Sequence, residues 1–462
     1  MSDLQATTVT GEGTVLLGAE LESLRGRLSG QLLRSGDDGY DSARELWNAM
    51  IDHRPALVAR CAAAADVVEA MRFARQHDLL ISVRGGGHSV AGKSVCEGGL
   101  LIDLSLMKGI RIDADARTAH VEPGVLWGEL DDETHKFGLA TPGGVVATTG
   151  IAGLTLGGGQ SWLTGKYGLT IDSLLSADVV MVDSHLLHAD SEENADLFWG
   201  LRGAGANLGV VTSFEYRLHP VSTVVGGMAL HPIDRAPEVL RFYREFTASE
   251  PDELTTYAAL LTAPDGTPMV ALLPCYIGSA EDAHAVLEPL RQFGPPVADT
   301  IAEITHPEMQ GIITAAFPAG RSSYWKSGLT AKISDELIGT LVEFARRVPS
   351  PFSAIVIANC HGASARVGKT DTAYYHRDLQ YDVVLASAWT DPGDSDTNIE
   401  WTRECFEQIE PHLADAVYVN DLGDEPVDRV RSAYGDNYDR IVELKRKYDP
   451  TNFLRMNQNI MP

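Results

Sequence analysis

Cysteine is scarce in this chain: the 462 residues hold five, Cys61, Cys96, Cys275, Cys360 and Cys405, odd in number and widely scattered. That excludes a disulfide framework and a cysteine-ligated metal, and leaves small buried thiols. Long apolar runs are missing as well. A bilayer-spanning helix needs about 20 apolar residues in a row, and no such window exists, so a membrane span is excluded. The opening Met1-Ser2-Asp3-Leu4-Gln5 has neither the basic nor the apolar region of a secretory signal, which makes the cytoplasm the expected location. Positive charge is in deficit, with 37 Lys and Arg against 64 Asp and Glu and a net charge of −27. The acids are spread along the chain without forming a tail. Such a surface repels phosphate backbones, so nucleic acid is not an expected partner. His135, His185 and His188 lack zinc spacing and recurring acidic or cysteine partners, and no metal site is expected.

Glycine, by contrast, is abundant and clustered. Arg84-Gly85-Gly86-Gly87-His88-Ser89 follows the apolar run Leu79-Leu80-Ile81-Ser82-Val83 and is followed by Val90-Ala91-Gly92. Three bare residues in a turn let backbone N–H groups close on a phosphate-bearing ligand, and one nucleophilic imidazole sits at the edge. A second segment runs from Thr141-Pro142-Gly143-Gly144 through Thr149-Gly150-Ile151-Ala152-Gly153 to Gly157-Gly158-Gly159, too glycine-dense for a simple hairpin. A third, Arg202-Gly203-Ala204-Gly205-Ala206-Asn207-Leu208-Gly209, leads into Val210-Val211-Thr212. None matches the dinucleotide fingerprint of a strand, spaced glycines opening a helix, and an acid further on. One extended ligand touched by several loops, cradled and then bonded, is the expectation.

At these residues the chain resembles the berberine-bridge-enzyme-like FAD-linked oxidases of the vanillyl-alcohol-oxidase and p-cresol-methylhydroxylase superfamily. The resemblance runs from about Asp41 to the C-terminus. Besides the glycine loops, it rests on Lys166-Tyr167-Gly168-Leu169, Asp196-Leu197-Phe198-Trp199, and the ending Tyr448-Asp449-Pro450-Thr451-Asn452 to Asn457-Gln458-Asn459-Ile460. It implies FAD bonded through its 8α-methyl group to His88. Many members add a cysteinyl bond from Gly-x-Cys-x-x-x-Gly; here Gly144-Val145-Val146-Ala147-Thr148-Thr149-Gly150 puts Val146 at the cysteine position, so no second bond is expected. The implied cofactor contacts are Arg84, Gly85, Gly86, Gly87, His88, Ser89, Gly92, Pro142, Gly143, Thr148, Thr149, Gly150, Gly153, Gly158, Gly209, Val211, Tyr418, Asn420, Asn457 and Asn459. In the family the residue at Thr149 lies near the reactive face of the flavin and influences oxygen access.

The implied activity is that of an oxidase taking an alcohol, amine or sugar-bearing small molecule, with molecular oxygen as electron acceptor. A flavin dehydrogenase with another acceptor and a flavin-binding homologue without turnover are the alternatives. A histidyl link is expected to raise the flavin's potential, and the protein must then supply binding, orientation and a base. Family members commonly read Tyr-x-Asn-Tyr where this chain reads Tyr418-Val419-Asn420-Asp421. Either Asp421, a carboxylate that partial desolvation would make more basic, or Tyr418 is the candidate base. Tyr324-Trp325-Lys326 and Tyr374-Tyr375-His376-Arg377 supply further candidates for the substrate face, Tyr324, Lys326 and Tyr375 foremost.

A chain with 44% hydrophobic residues can bury large cores and divide into at least two domains. Ala56 to Cys61, Leu79 to Val83, Leu100 to Leu104, Thr118 to Glu122, Val179 to Val182 and Val210 to Tyr216 read as strands, with helices over Ala65 to His77 and Gly128 to Phe137. Beyond about Pro220, strand-like Thr255 to Leu261, Met269 to Tyr276, Ile355 to Ala358 and Val383 to Ala388 alternate with helix-like Ala236 to Phe246, Ala280 to Phe293 and Asp335 to Arg347. The expected class is α+β: a two-part FAD-binding domain of the vanillyl-alcohol-oxidase type, residues 1–220 and 415–462, with an inserted substrate domain, 221–414, built as an antiparallel sheet covered by helices. The return of the C-terminal stretch comes from the resemblance alone.

Overall fold

The β-α-β start expected around the first glycine loop is present. In the computed structural model, which describes residues 1–423 and 425–462, the strands Leu57–Arg60 and Ile81–Arg84 both pair in parallel with Leu100–Asp103. The helix Ala64–Gln76 crosses between them and buries Val67, Ala70, Met71 and Ala74 on one stripe, the spacing of an amphipathic helix. Gln31–Leu33 adds an antiparallel edge. A second, five-stranded antiparallel sheet runs in the order Leu186–Ala189, Leu174–Val180, Val210–Arg217, Thr118–Val121, Ile110–Asp113.

The largest sheet is antiparallel. Its main path runs Ala298–Asp299, Ala229–Pro232, Pro268–Tyr276, Leu254–Thr262, Ala354–Asn359, Tyr381–Trp389, Ser322–Thr330. Side chains alternate between its faces. Leu254, Ala258 and Leu260, Ile355 and Ile357, and Tyr381, Val383 and Leu385 pack against the helices Ala236–Thr247, Ala280–Gln292, Asp335–Arg346 and Ser395–Ile409. The opposite face, with Tyr257, Val356, Ala358, Val384 and Ala386, looks into a cavity. Helices on one side only leave the other free for a ligand.

The C-terminal stretch returns. Val417, Leu422, Val430, Tyr434, Ile441 and Ile460 share a core with Val121, Trp127, Phe198 and Phe214, and Phe453 and Leu454 join the core of the first sheet. Among the described residues, no helix is long and apolar enough to cross a membrane.

Candidate active site

A cavity of about 440 Å³ lies between the glycine loops and the bare face of the large sheet. Its first wall is main chain. A Cβ on Gly86 would stand 2.4 Å from the Cα of Gly150, and one on Gly150 would stand 2.4 Å from the Gly86 nitrogen. Real side chains do not tolerate such approaches, so the first and second loops meet only because both lack one. Gly150 caps the helix Ile151–Gly157, and Thr149 and Ile151 bond back to Trp127 and Val125. The third loop is fastened to the returning terminus: the Asn207 amide donates to the Gln458 carbonyl and accepts from Ile460, while the Asn457 amide donates to Ala206.

His88 stands at the mouth of this wall. Its ring stacks on Trp47 with centroids 5.2 Å apart. Nε2 lies 3.0 Å from the Thr148 hydroxyl, and Nδ1 faces Thr149 at 3.5 Å. Burial pushes the imidazole pKa down to about 4, so the ring is neutral at pH 7 and keeps a free lone pair. Val146 lines the cavity, and no cysteine does among the described residues.

The second wall is side chain. Trp325, Tyr257, Phe317, Val384 and Ala386 give it an aromatic and aliphatic surface, Asp421 and Gln160 are among its polar members, and the buried Tyr257 hydroxyl and Trp325 indole N–H have no partner among the described residues. The Asp421 and Asp382 carboxyls hydrogen-bond to each other. Asp382 is 0% exposed and its Oδ2 accepts from the Gln160 amide at 2.9 Å. Burial raises the Asp382 pKa to about 6. Burial, then the neighbouring Asp382 charge, lifts Asp421 well above the ordinary carboxylate range. Two carboxyls this close cannot both ionise in a dry site, so near neutral pH the pair holds one proton and one negative charge.

Matches to known proteins fit this geometry. Residues 55–190 match the family described as "FAD binding domain", and 417–461 match "Berberine and berberine like". An FAD-linked oxidoreductase of Dictyostelium discoideum is 31% identical over 94% of this chain and 95% of its own. The (R)-6-hydroxynicotine oxidase of Paenarthrobacter nicotinovorans is 30% identical over 94% and 97%. Among solved structures, the 6-hydroxy-D-nicotine oxidase of Arthrobacter nicotinovorans superposes with a TM-score of 0.84 at 28% identity, covering 94% of this chain and 98% of that one.

The chain belongs to the berberine-bridge-like FAD-linked oxidoreductases.

The cofactor of this oxidoreductase is FAD, and the first wall suits it. Gly85, Gly86, Gly87, Gly150, Gly153 and Gly209 line the cavity with bare backbone. A Cβ on Gly153 would meet nothing within 4 Å, which leaves space beside the backbone for a flat ring. Buried polar atoms of Ser94 and Asn457, both lining residues, have no protein partner.

Ser89, Thr149, Val211, Tyr418, Asn420, Asp421 and Asn457 also line the cavity. Others on the expected contact list stand behind it. The Arg84 guanidinium bonds Asp103 at 3.1 Å and backs Gly87. Gly92 turns at φ +73 against Ile51, Gly143 packs on Trp127, and Gly158 turns at φ +133 beneath Tyr374 and Tyr418. Pro142 is buried beside them, Thr148 touches only the far nitrogen of His88, and the Asn459 amide is engaged with Met461. These residues shape the loops.

Three candidates for the substrate face are misplaced. Tyr324 and Lys326 flank Trp325 on the strand Ser322–Thr330, so pleating turns them away from the cavity. There Tyr324 accepts from Arg403 at 3.2 Å, and Lys326 pairs with Glu425 over the Phe406 ring. Tyr375 is on the surface, donating to Asp436 at 2.7 Å and covering Gly435. Tyr418 lines the cavity but is poorly suited to be a base. Its hydroxyl accepts from the Gly159 N–H at 2.8 Å and the Asn420 amide at 2.7 Å, and burial together with Asp421 pushes its pKa up.

Sequence reasoning missed Asp382, Gln160, Tyr257 and Trp47 as a wall, and it placed Trp325 on the substrate face only behind its neighbours Tyr324 and Lys326. Asp382 left a trace, a lone acid in the apolar run Tyr381-Asp382-Val383-Val384-Leu385. Asn48 left none, yet its amide donates to the carbonyls of Val90 and Ser323 and its carbonyl accepts from Ser323, bolting the first loop to the edge of the large sheet.

Proposed function

We propose that this enzyme is an oxidase of small organic alcohols or amines, with FAD held by a single bond to His88 and the Asp421–Asp382 pair as proton acceptor. The carrying observation is one cavity with a neutral, oriented imidazole on its bare-backbone wall and a proton-sharing carboxyl pair on the facing wall. FAD, when bound, supplies an acceptor for a hydride and hands the electron pair to dioxygen. The Thr148 hydroxyl engages Nε2 and directs Nδ1 toward the side of cavity-lining Thr149, so Nδ1 is the nitrogen we assign to the 8α bond. Val146 offers no thiol for a second one. Asp421 receives the substrate O–H or N–H proton, and Asp382 shares it. The Gln160 amide keeps Asp382 pointed inward.

The same reading divides the chain into FAD-binding parts at 1–220 and 415–462 and a substrate domain at 221–414. It is supported by strands from Thr223 onward joining the large sheet and by residues 417–460 packing back beside the first two sheets.

The relatives' names span a nicotine derivative and, in a Gibberella zeae oxidase 28% identical over 92% of this chain and 91% of its own, a chito-oligosaccharide. They do not choose a substrate. Mass spectrometry of proteolysed, acid-precipitated enzyme tests the attachment: one FAD on the peptide containing His88 is expected, and His88→Ala should release all flavin on precipitation. A cysteinyl flavin peptide would overturn the single bond. Peroxide formed under air, set against reduction of an artificial acceptor, separates oxidase from dehydrogenase.

A further inference from the structure

The two halves of the chain meet behind His88. A stretch of the large-sheet half, from the helix His306–Gly311 through the turn Thr314–Ala316 to the start of the strand Ser322–Thr330, fastens both glycine loops of the flavin wall. Gln310 is 1% exposed, and its amide donates to the Gly144 carbonyl at 2.8 Å and to Asp131 Oδ2 at 3.0 Å. Both partners accept, which fixes the amide nitrogen on their side. Asp131 is equally buried and belongs to the helix Trp127–His135 of the other half. Thr314 donates its hydroxyl to the Gln310 carbonyl and accepts the Ala147 N–H, each at 3.0 Å. The first loop is caught a little farther along. Phe317 accepts the Trp47 indole N–H at 3.0 Å, the Gly320 N–H donates to the Trp47 carbonyl, and the Ala49 N–H donates to the Arg321 carbonyl. Trp47 in turn donates its backbone N–H to Gly87.

These ties converge on one ring. Trp47 lies against the face of His88, and Thr148, the residue after Ala147, meets its Nε2. Each of these two neighbours is therefore held by the other half of the chain. Val146 has no thiol with which the second loop could be tethered to the flavin, so its place is set by hydrogen bonds and packing.

We propose that the segment 310–321 is a clamp that aligns His88 for attachment, with Gln310 and Thr314 as positioning residues, so that FAD becomes bonded only when the two halves of the chain are docked. The proposal rests on His88 being the attachment site. Attachment replaces the imidazole N–H hydrogen and one 8α-methyl hydrogen by a C–N bond, and both hydrogens with their electrons pass to dioxygen as hydrogen peroxide. For that exchange Nδ1 must present its lone pair and the Nε2 proton must meet an acceptor, which the Thr148 hydroxyl supplies only while its loop is in place. A displacement of about 1 Å can cost bond formation about a hundredfold. Reversible binding of FAD, spread over three loops, is far less sensitive to it.

Apoprotein from riboflavin-starved cells, mixed with FAD under air, tests the clamp through two signals: quenching of tryptophan fluorescence for binding, and flavin fluorescence that stays on the denatured chain for attachment. Thr314→Val keeps the side chain's shape and removes the acceptor of the Ala147 N–H. It should bind FAD with unchanged affinity and attach it about tenfold or more slowly, and Thr314→Ser should return attachment to the wild-type rate. Gln310→Leu, which loses both ties, should be slower still. Attachment at the wild-type rate in Thr314→Val overturns the clamp. So does an equally slow Thr314→Ser, since the hydroxyl would then not be what matters, or a loss of FAD affinity in Thr314→Val that matches the loss of attachment, since the segment would then only build the pocket. Wild-type protein that gives up all its flavin on acid precipitation overturns the His88 reading itself, and the clamp with it.

Discussion

The two walls of the cavity are made from different material. The flavin wall is built by main chain, with Gly86 and Gly150 close enough that a Cβ on either would collide with the other loop. The substrate wall is built by every second side chain of strands whose remaining side chains pack against helices. Backbone construction demands glycine at fixed places and leaves a compositional trace. Construction from alternate side chains leaves only parity, which reads out once the strand and its covered face are known.

The sharpest break falls on the flavin wall. Gly153 sits in the helix Ile151–Gly157 with open space where a Cβ would point and without a positive φ, so Gly153→Val should fold and yet fail to load FAD. The expected result is colourless protein with unchanged circular dichroism. Normal flavin content would show that this loop does not cradle the cofactor. Gly150→Ala is harsher, because its Cβ must displace the Gly86 backbone, and loss of soluble protein is expected.

On the substrate wall, Asp421→Asn should keep the flavin and slow its reduction by about a hundredfold or more, the scale of a lost general base. In the wild type the reduction rate should fall as pH drops through about 6, the value to which burial lifts Asp382, because the doubly protonated pair accepts nothing. A rate flat from pH 5 to 8 would contradict a carboxyl base. The pair also costs stability. Its carboxyls hold protons to higher pH in the folded chain than in the unfolded one, so their contribution is fully present below the unfolded value and is lost as pH rises through the folded value. The FAD-free Asp421→Asn protein should therefore melt higher than the FAD-free wild type at pH 8, with the gap closing toward pH 4. A gap that widens on acidification would reverse the sign assigned to the burial.

Legibility followed the same division. The three glycine segments, His88 and the Val146 substitution could be picked out along the chain, since each is a local pattern of residue types. The strands and helices around them fell within a few residues of expectation wherever periodicity was strong, as in Ala64–Gln76 and Pro268–Tyr276. The strand Ser322–Thr330 and the helix Ser395–Ile409 went unread. Ser322–Thr330 mixes serines with aromatics and a lysine, and the helix is dominated by acids. Without them the two faces of the sheet's edge could not be told apart. Asp382 stood one residue before a strand that was read from Val383, and its partner lies in a turn brought back from the far end of the chain. A pair separated by that much sequence has no local signature.

The smallest expected effects test the parity argument most directly, because they compare neighbours on one strand. Trp325 faces the cavity, while Tyr324 and Lys326 meet the helix Ser395–Ile409 through Arg403 and Phe406. Trp325→Ala removes an aromatic side of the substrate site and should raise KM about tenfold or more, within the range seen when an aromatic anchor in a binding site is truncated. Its kcat should change less, since the Asp421–Asp382 pair is untouched. Tyr324→Phe deletes only a hydroxyl that accepts from the exposed Arg403, and Tyr375→Phe only one that donates to Asp436 at the surface. Both should leave KM, kcat and flavin content within about twofold of wild type, as surface changes of this kind usually do. Were Tyr324→Phe to match the loss in Trp325→Ala, the edge strand would be pleated in the opposite sense, and the large sheet would turn a different set of side chains toward the flavin.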